Sequence, residues 1–281
     1  MKIPFFDYPR LFLDKRDEYM NIFSDVASRG AFIMQDDVDI FEKNLSTFSN
    51  SNYSIGVGNA TDGLEISWMA LNLRQGDEVI CCSHTMLATA SAIKVAGGIP
   101  IPVEIGDDNL IDPEAVEDAI TSRTVGIMPT QLNGRTCDME RIMQIANKYK
   151  LYVVEDAAQA LGSKFKGKNA GTFGHSSAIS FFPAKVLGCF GDAGAILCQD
   201  ETIFDRAYQL HDHGRDKNGN VKSWGRNSRL DNLQAAILNF NLKSYEKVIQ
   251  RRREIASMYF SKLSILEELK LPESPLNNSD H

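Results

Sequence analysis

The chain has 281 residues, of which 43% are hydrophobic and 24% are charged, and its formal net charge is -7. This is the composition of a globular protein, and the length supports one large α/β core with room for the start of a second unit. The negative charge argues against a nucleic-acid-binding surface, and the absence of a long apolar run or a signal-peptide-like N-terminus argues against a membrane or export role.

The cysteines indicate a reducing compartment. There are five of them, an odd number without a Cys-x-x-Cys spacing, and several lie within apolar runs. We therefore predict buried, reduced thiols in a cytoplasmic protein.

Short β-rich segments alternate with longer helical patterns along the chain. The predicted strands are Tyr53–Val57, Glu78–Cys82, Ile101–Ile105, Val125–Pro129, Leu151–Glu155, Ala178–Phe182 and Ala195–Cys198, and the predicted helices between them are Gly63–Leu73, Leu87–Ala96, Glu114–Ile120 and Met139–Lys150. Such alternation is typical of an α/β fold, here a mainly parallel seven-stranded sheet with helices on both faces.

The last part of the chain has a different character. A long helical pattern with a break begins at Asp231, and we expect it to end at Pro272 and Pro275. A long helix that leads into a linker usually delivers the chain to another domain. We therefore expect residues 1–240 to form one large domain, and 241–281 to form a long helix and the truncated start of a smaller C-terminal domain.

A lysine and an acid stand at the ends of two consecutive predicted strands. Asp156 follows one strand, and Lys185 follows the next in the segment Ser180–Gly188. Pyridoxal phosphate chemistry needs this pair, because the amine forms a Schiff base with the aldehyde while the carboxylate keeps the ring nitrogen protonated. Taken alone, Asp156 could be a helix cap and Lys185 a solvent lysine, although its apolar approach and glycine-rich exit are unusual for one.

A candidate phosphate site begins the first of the predicted helices. Gly58-Asn59-Ala60-Thr61-Asp62-Gly63-Leu64 follows a strand, and the first amides of a helix are unpaired and carry partial positive charge. The hydroxyl of Thr61 could add a donor. An ordinary N-cap with glycines that permit a tight turn explains the segment equally well.

Several ordered motifs together resemble the DegT/DnrJ/EryC1/StrS family of sugar aminotransferases. The resemblance runs from about Phe32 to Tyr259. Its motifs are Gly58–Leu64, Gly76–Ile80, Gln131–Gly134, Glu155–Gln159, Ser180–Lys185, Gly191–Gly194 and Asn227–Asp231. It implies the large domain of a fold-type-I pyridoxal-phosphate-dependent transferase, acting on a nucleotide-linked keto sugar with glutamate as the amino donor, for surface polysaccharides or glycosylated metabolites.

The resemblance also implies a role for each matching residue. Lys185 would be the Schiff-base lysine and proton shuttle, Asp156 would pair with the pyridine nitrogen, and Gln159 would lie against the ring or its 3-hydroxyl. The phosphate would be held by Thr61, the amide of Asp62 and the hydroxyl of Ser180. Asn227 would reach the phosphate of a neighbouring subunit, which implies a homodimer.

One position departs from the family pattern. Met86 stands where the family usually has an aromatic residue stacked on the cofactor ring, and a thioether can contact a ring face for roughly 0.3–1.5 kcal/mol. His84 is a possible substitute.

Two other functions share the same motifs. A pyridoxal-phosphate-dependent nucleotide-sugar dehydratase has the same fold, but histidine commonly replaces the lysine there, so Lys185 favours transamination. The second alternative is a non-catalytic, cofactor-binding or regulatory protein.

Overall fold

The fold is described from a computed structural model, in which residues 4–269, 271 and 279–280 are described. The expected helix-ending prolines, Pro272 and Pro275, lie outside these residues.

The strands alternate with helices as the sequence predicts. The strands are β1 Tyr53–Val57, β2 Glu78–Cys82, β3 Ile99–Val103, β4 Thr124–Met128, β5 Tyr152–Asp156, β6 Lys164–Phe165, β7 Lys168–Asn169, β8 Ser176–Ser180, β9 Gly194–Cys198 and β10 Ser279–Asp280. Among the described residues, the main sheet has seven strands in the order β1-β9-β8-β5-β4-β2-β3, and β9 runs antiparallel to both of its neighbours. The mainly parallel sheet is therefore confirmed.

The helices include several that the sequence pattern did not single out. They are α1 Tyr8–Leu13, α2 Arg16–Arg29, α3 Asp36–Ser49, α4 Ala60–Ala70, α5 Leu87–Val95, α6 Pro113–Asp118, α7 Met139–Tyr149, α8 Glu201–His211, α9 Asn232–Leu242 and α10 Tyr245–Leu263. The first three and α8 were missed. The predicted break in the last helical pattern separates α9 from α10, and the expected domain boundary at residue 240 falls inside α9.

Some boundaries differ from the predicted ones for local reasons. α4 begins at Ala60 instead of Gly63, because the side chain of Asn59 caps it by accepting the amide of Asp62. The third strand ends at Val103, because Ile105 pairs with Ile111 in a separate bridge.

Helices cover both faces of the sheet, because side chains on the central strands alternate between two apolar layers. On one face Val79 and Cys81 pack with α4 and α5, and on the other Ile80 and Cys82 pack with α6 and α7. On that second face α2, α3, α9 and α10 cover β8 and β9. In the described part of the chain, no helix is both long and apolar enough to traverse a bilayer. All five cysteines are free and buried, as predicted.

Candidate active site

The carboxyl ends of the parallel strands meet at one edge of the sheet, where ligands of open α/β sheets bind. Asp156 is the last residue of the central strand β5, and its backbone amide donates to the carbonyl of Pro129 at 2.9 Å. Its side chain is buried. Oδ2 accepts the hydroxyl of Thr89 at 2.6 Å, and Oδ1 accepts the amide of Ala158 at 3.2 Å.

Lys185 lies in a closed loop that follows the neighbouring strand β8. A hydrogen bond from the Cys189 amide to the Phe181 carbonyl at 3.0 Å closes the loop at its base. Within the loop, the Lys185 amide donates to the Phe182 carbonyl at 2.8 Å. Gly188 makes the loop possible, because a Cβ there would lie 2.8 Å from the carbonyl oxygen of Pro183. The fold therefore holds the lysine beside the end of β5.

The acid and the amine influence each other electrostatically. Burial lowers the pKa of Lys185, and the negative charge of Asp156 partly opposes this. Burial raises the pKa of Asp156, against the hydrogen bond from Thr89, that from the Ala158 amide and the charge of Lys185. A half-buried amine that loses its proton more easily than an ordinary lysine is what carbonyl chemistry requires.

The start of α4 lies beside these two strands. The Cβ of a residue replacing Gly194 would meet the backbone of Asn59 at 2.6 Å and of Ala60 at 2.7 Å, so the helix start touches β9. Gly194 is paired with Ser180, the last residue of β8. The hydroxyl of Ser180 and the first turn of α4, which contains Thr61, thus come to one place, and these donors suit a phosphate.

Asp62 is engaged through both its backbone and its side chain. Its amide donates to Asn59 Oδ1 at 2.9 Å, and its carboxylate accepts the hydroxyl of Ser228 at 2.7 Å. Ser228 in turn accepts the amide of Gly58 at 3.0 Å. These bonds fix the segment that follows Asn227 against the start of α4. Asn227 itself is exposed.

Gln159 lies just beyond the end of β5, three residues after Asp156. Its Oε1 accepts the amide of Asn133 at 2.9 Å, and Asn133 adopts a left-handed conformation with φ 55°. The Gln131–Gly134 motif therefore positions Gln159.

Glu155 is a buried carboxylate whose structural role the sequence did not reveal. It accepts the side-chain amide of Gln131 at 2.8 Å and the backbone amides of Gly171, Phe173 and Gly174 at 2.7 to 2.8 Å. Burial raises its pKa, and these donors oppose the rise. Glu155 thus anchors the loop before β8 and fixes the end of β5.

Met86 and His84 lie at the mouth of the site. Met86 is the N-cap residue of α5 and its side chain is 68% exposed. His84 is exposed as well, and its Nδ1 lies 3.3 Å from the carbonyl oxygen of Asn109.

Side chains that commonly bind metal ions do not form a metal site in the described part of the chain. In the described residues, no group of three or more histidine, cysteine, aspartate or glutamate side chains could hold a metal ion.

The mainly parallel sheet with helices on both faces is the fold of the fold-type-I aminotransferases, whose cofactor is pyridoxal phosphate. The residues fit the cofactor, since a helix start with two hydroxyls suits its phosphate, a buried carboxylate suits its ring nitrogen, and an amine of lowered pKa suits its aldehyde. The sequence profile of the DegT/DnrJ/EryC1/StrS aminotransferase family matches residues 14–281. The chain belongs to this family and is an aminotransferase.

Known relatives agree with this assignment. The dTDP-3-amino-3,6-dideoxy-alpha-D-galactopyranose transaminase of Aneurinibacillus thermoaerophilus is 41% identical, over 96% of this chain and 73% of that protein. The structure of S. venezuelae DesV in complex with a ketimine intermediate is 34% identical with a TM-score of 0.95, over 99% of this chain and 75% of that one. NtdA from Bacillus subtilis, with bound cofactor PMP, is 37% identical with a TM-score of 0.90, over 97% and 63%.

Proposed function

We propose that this protein binds pyridoxal phosphate and transfers an amino group from glutamate to a nucleotide-linked keto sugar. The observation that carries the proposal is the half-buried Lys185 amine next to the buried Asp156 carboxylate, at the carboxyl edge of the sheet. The transaminase from A. thermoaerophilus, whose name specifies a dTDP-linked amino sugar, supports the substrate class.

The reaction divides between the cofactor and the chain. The cofactor supplies an aldehyde and a ring that accepts electrons. Asp156 would accept a hydrogen bond from the ring nitrogen and stabilise its positive charge. Lys185 Nζ would carry the proton between the two carbons that react, and burial, which lowers its pKa, makes the amine lose its proton more easily than an ordinary lysine does. Thr61 and Ser180 would orient the group by its phosphate, and Gln159 would lie against the ring or its 3-hydroxyl. The amide of Asp62, which here donates to Asn59, would be the third phosphate donor.

The dehydratase alternative is less well supported. Its members commonly have histidine in place of the lysine, whereas Lys185 is present here in a loop that holds it beside Asp156. We therefore favour transamination.

The assembly and the location belong to the same proposal. Exposed Asn227 on an anchored segment is suited to reach the phosphate site of a second subunit, so we propose a homodimer. Five free cysteines support a cytoplasmic location. We also propose that residues 1–240 form the cofactor-binding large domain and that 241–281 lead into a smaller one.

Lys185→Ala provides the direct test. The wild-type protein is expected to develop visible absorbance with pyridoxal phosphate and to lose it when glutamate is added. Lys185→Ala should not react with glutamate, because the proton carrier is missing. Lys94→Ala, which removes an exposed lysine of α5, is the matched control and should behave as the wild type.

A panel of keto-sugar nucleotides, with keto-sugar phosphates for comparison, then tests the acceptor by mass measurement of the aminated product. A Lys185→Ala variant with full activity would contradict the assigned role. A wild-type protein that stays colourless with pyridoxal phosphate would contradict the proposal as a whole.

A further inference from the structure

Three threonine hydroxyls form a continuous chain that ends on Asp156. Thr89 donates to Asp156 Oδ2 at 2.6 Å, Thr85 Oγ1 lies 2.7 Å from Thr89 Oγ1, and Thr130 donates to Thr85 at 3.1 Å. These residues belong to three parts of the fold. Thr130 follows β4, Thr85 follows β2, and Thr89 lies in the first turn of α5.

The chain can have only one direction when Asp156 is ionised. A carboxylate only accepts, so the single hydrogen of Thr89 is committed to Asp156. Thr89 must then accept from Thr85, and Thr85 must accept from Thr130. Each bond in such a chain polarises the next, so the hydroxyl at the carboxylate is a stronger donor than an isolated one.

The same chain connects Asp156 to the mouth of the site. Thr85 and Thr89 flank Met86, so the bond between their hydroxyls fixes the turn that presents this exposed side chain. The backbone connects the far end of the hydroxyl chain to Asp156 as well, because Thr130 forms a parallel β-bridge with Asp156.

We propose that Thr89 and Thr85 are positioning residues, which hold the Asp156 carboxylate as an acceptor aimed at the ring nitrogen and tie the Met86 turn to it. The inference rests on the proposed function, because the threonines act on the cofactor only through Asp156. The Thr89 bond also opposes the effect of burial on the pKa of Asp156. In the described part of the chain, the charged side chain that acts on Asp156 is Lys185.

Thr89→Val tests the proposal, since it replaces the hydroxyl by a methyl group. Titration of the apo protein with pyridoxal phosphate, followed by visible absorbance at several pH values, should show affinity reduced by about tenfold or more. Without the Thr89 donor the pKa of Asp156 rises further. Affinity should therefore begin to decline at a higher pH than in the wild type, because a protonated Asp156 no longer carries the negative charge that stabilises a protonated ring nitrogen.

Two further variants grade the effect. Thr85→Val should reduce affinity by a smaller factor, about threefold, since it keeps the Thr89–Asp156 bond and removes the polarising bond together with the tie to the Met86 turn. Thr89→Ser keeps the donor, and should restore both the affinity and the pH profile.

A matched control separates this role from loss of structure. Thr136 shares a buried hydroxyl pair with Ser163 at 2.7 Å and makes no contact with Asp156, so Thr136→Val should leave cofactor affinity and its pH profile unchanged. Melting temperatures of the apo proteins report on folding.

The outcomes distinguish the inference from the proposed function. If the wild type binds pyridoxal phosphate and Thr89→Val does so with the same affinity and pH profile, the inference is wrong while the proposed function stands. It is equally wrong if Thr89→Ser fails to restore binding or if Thr136→Val weakens it as much. A wild-type protein without affinity for the cofactor would contradict the proposed function, and the inference with it.

Discussion

Two regions of the candidate site are built in opposite ways. The acid side consists of Asp156, Thr89, Thr130 and Gln131, and all four side chains are buried and hydrogen-bonded within the chain. The loop side, residues 212–231, connects α8 to α9 and faces outward. Its Trp224 is 96% exposed and its Val221 is 70% exposed.

The loop side is nevertheless fixed at its base. The Arg226 amide donates to the Leu210 carbonyl at 2.7 Å, buried Asp212 forms an ion pair with Arg229 at 3.4 Å, and Ser228 donates to Asp62. An anchored base with an exposed apolar and polar tip is suited to contact a second chain. If the proposed function holds, the acid side would govern proton and electron movement within one chain, and the exposed loop side would contact the proposed second subunit.

The acid side should give the largest effect when one charge is removed. Asp156→Asn keeps the shape and an acceptor for Thr89 but loses the negative charge. We expect the rate of the glutamate half-reaction in single-turnover experiments to fall by at least about 10²-fold.

The corresponding change on the loop side should be milder. Asn227→Ala removes a neutral amide, and its expected cost in cofactor binding is about 0.5–1.5 kcal/mol. If Asn227→Ala slowed the glutamate half-reaction as much as Asp156→Asn does, or if Asp156→Asn had a normal rate, the distinction between the two regions would not hold.

Gly194→Ala should disturb the contact between β9 and the start of α4, to which Ser228 of the loop side is bonded, with an intermediate effect. The new Cβ would lie 2.6 Å from the backbone carbon of Asn59, and backbone cannot give way as a side-chain end can. We expect a loss of about 1–3 kcal/mol in the free energy of unfolding, with weaker binding of pyridoxal phosphate.

Gly106→Ala is the control for this change, because the nearest atom there is the side-chain oxygen of Asp108 at 3.2 Å. Denaturant unfolding and cofactor titration measure both effects. If Gly194→Ala binds the cofactor as tightly as the control does, α4 need not approach β9 closely.

The sequence predicted much of the sheet, because its strands are short apolar runs bounded by turn residues. Both β1 and β2 occur within their predicted bounds. The helix α2 was missed, and its pattern is weak because only Tyr19 and Val26 are buried. The shifted start of α4 depends on a capping side chain, which periodicity does not register.

The site was predictable only where residues follow a strand or match a motif. Asp156 and Lys185 satisfied both conditions. Thr89 was not singled out, because it lies within a predicted helix, and the bond to Asp156 connects positions 67 residues apart. Gln131 and Glu155 were noticed as parts of motifs, but their mutual bond became visible only in the folded chain.

Glu42 provides the smallest and most specific test, since it lies behind the loop side and should affect stability without affecting the chemistry. Its Oε1 accepts the amide of Gly56 at 2.7 Å, and burial raises its pKa from 4.5 to about 7, with a further rise from Asp39. The bond from Gly56 and the charge of Lys217 on the loop side oppose this rise.

The sign of the pH dependence follows from this shift. The folded-state pKa lies above the unfolded one, so the stabilisation is fully present below about pH 4.5 and is lost as the pH rises through about 7. Glu42→Gln keeps an oxygen for the Gly56 amide and cannot ionise. At pH 8 it should therefore be more stable than the wild type, by about 1–3 kcal/mol, and near pH 4.5 the difference should vanish.

Denaturant unfolding across this pH range measures the difference, and Glu114→Gln, at an exposed position of α6, controls for the loss of one carboxylate. A difference that stays the same at all pH values would mean that Glu42 has the same pKa in the folded and the unfolded protein, and that its surroundings are more polar than the fold indicates. A difference confined to high pH would instead show that the fold imposes an ionisation cost on Glu42, which the Gly56 bond and Lys217 offset only in part, as hydrogen bonds and Lys185 do at Asp156.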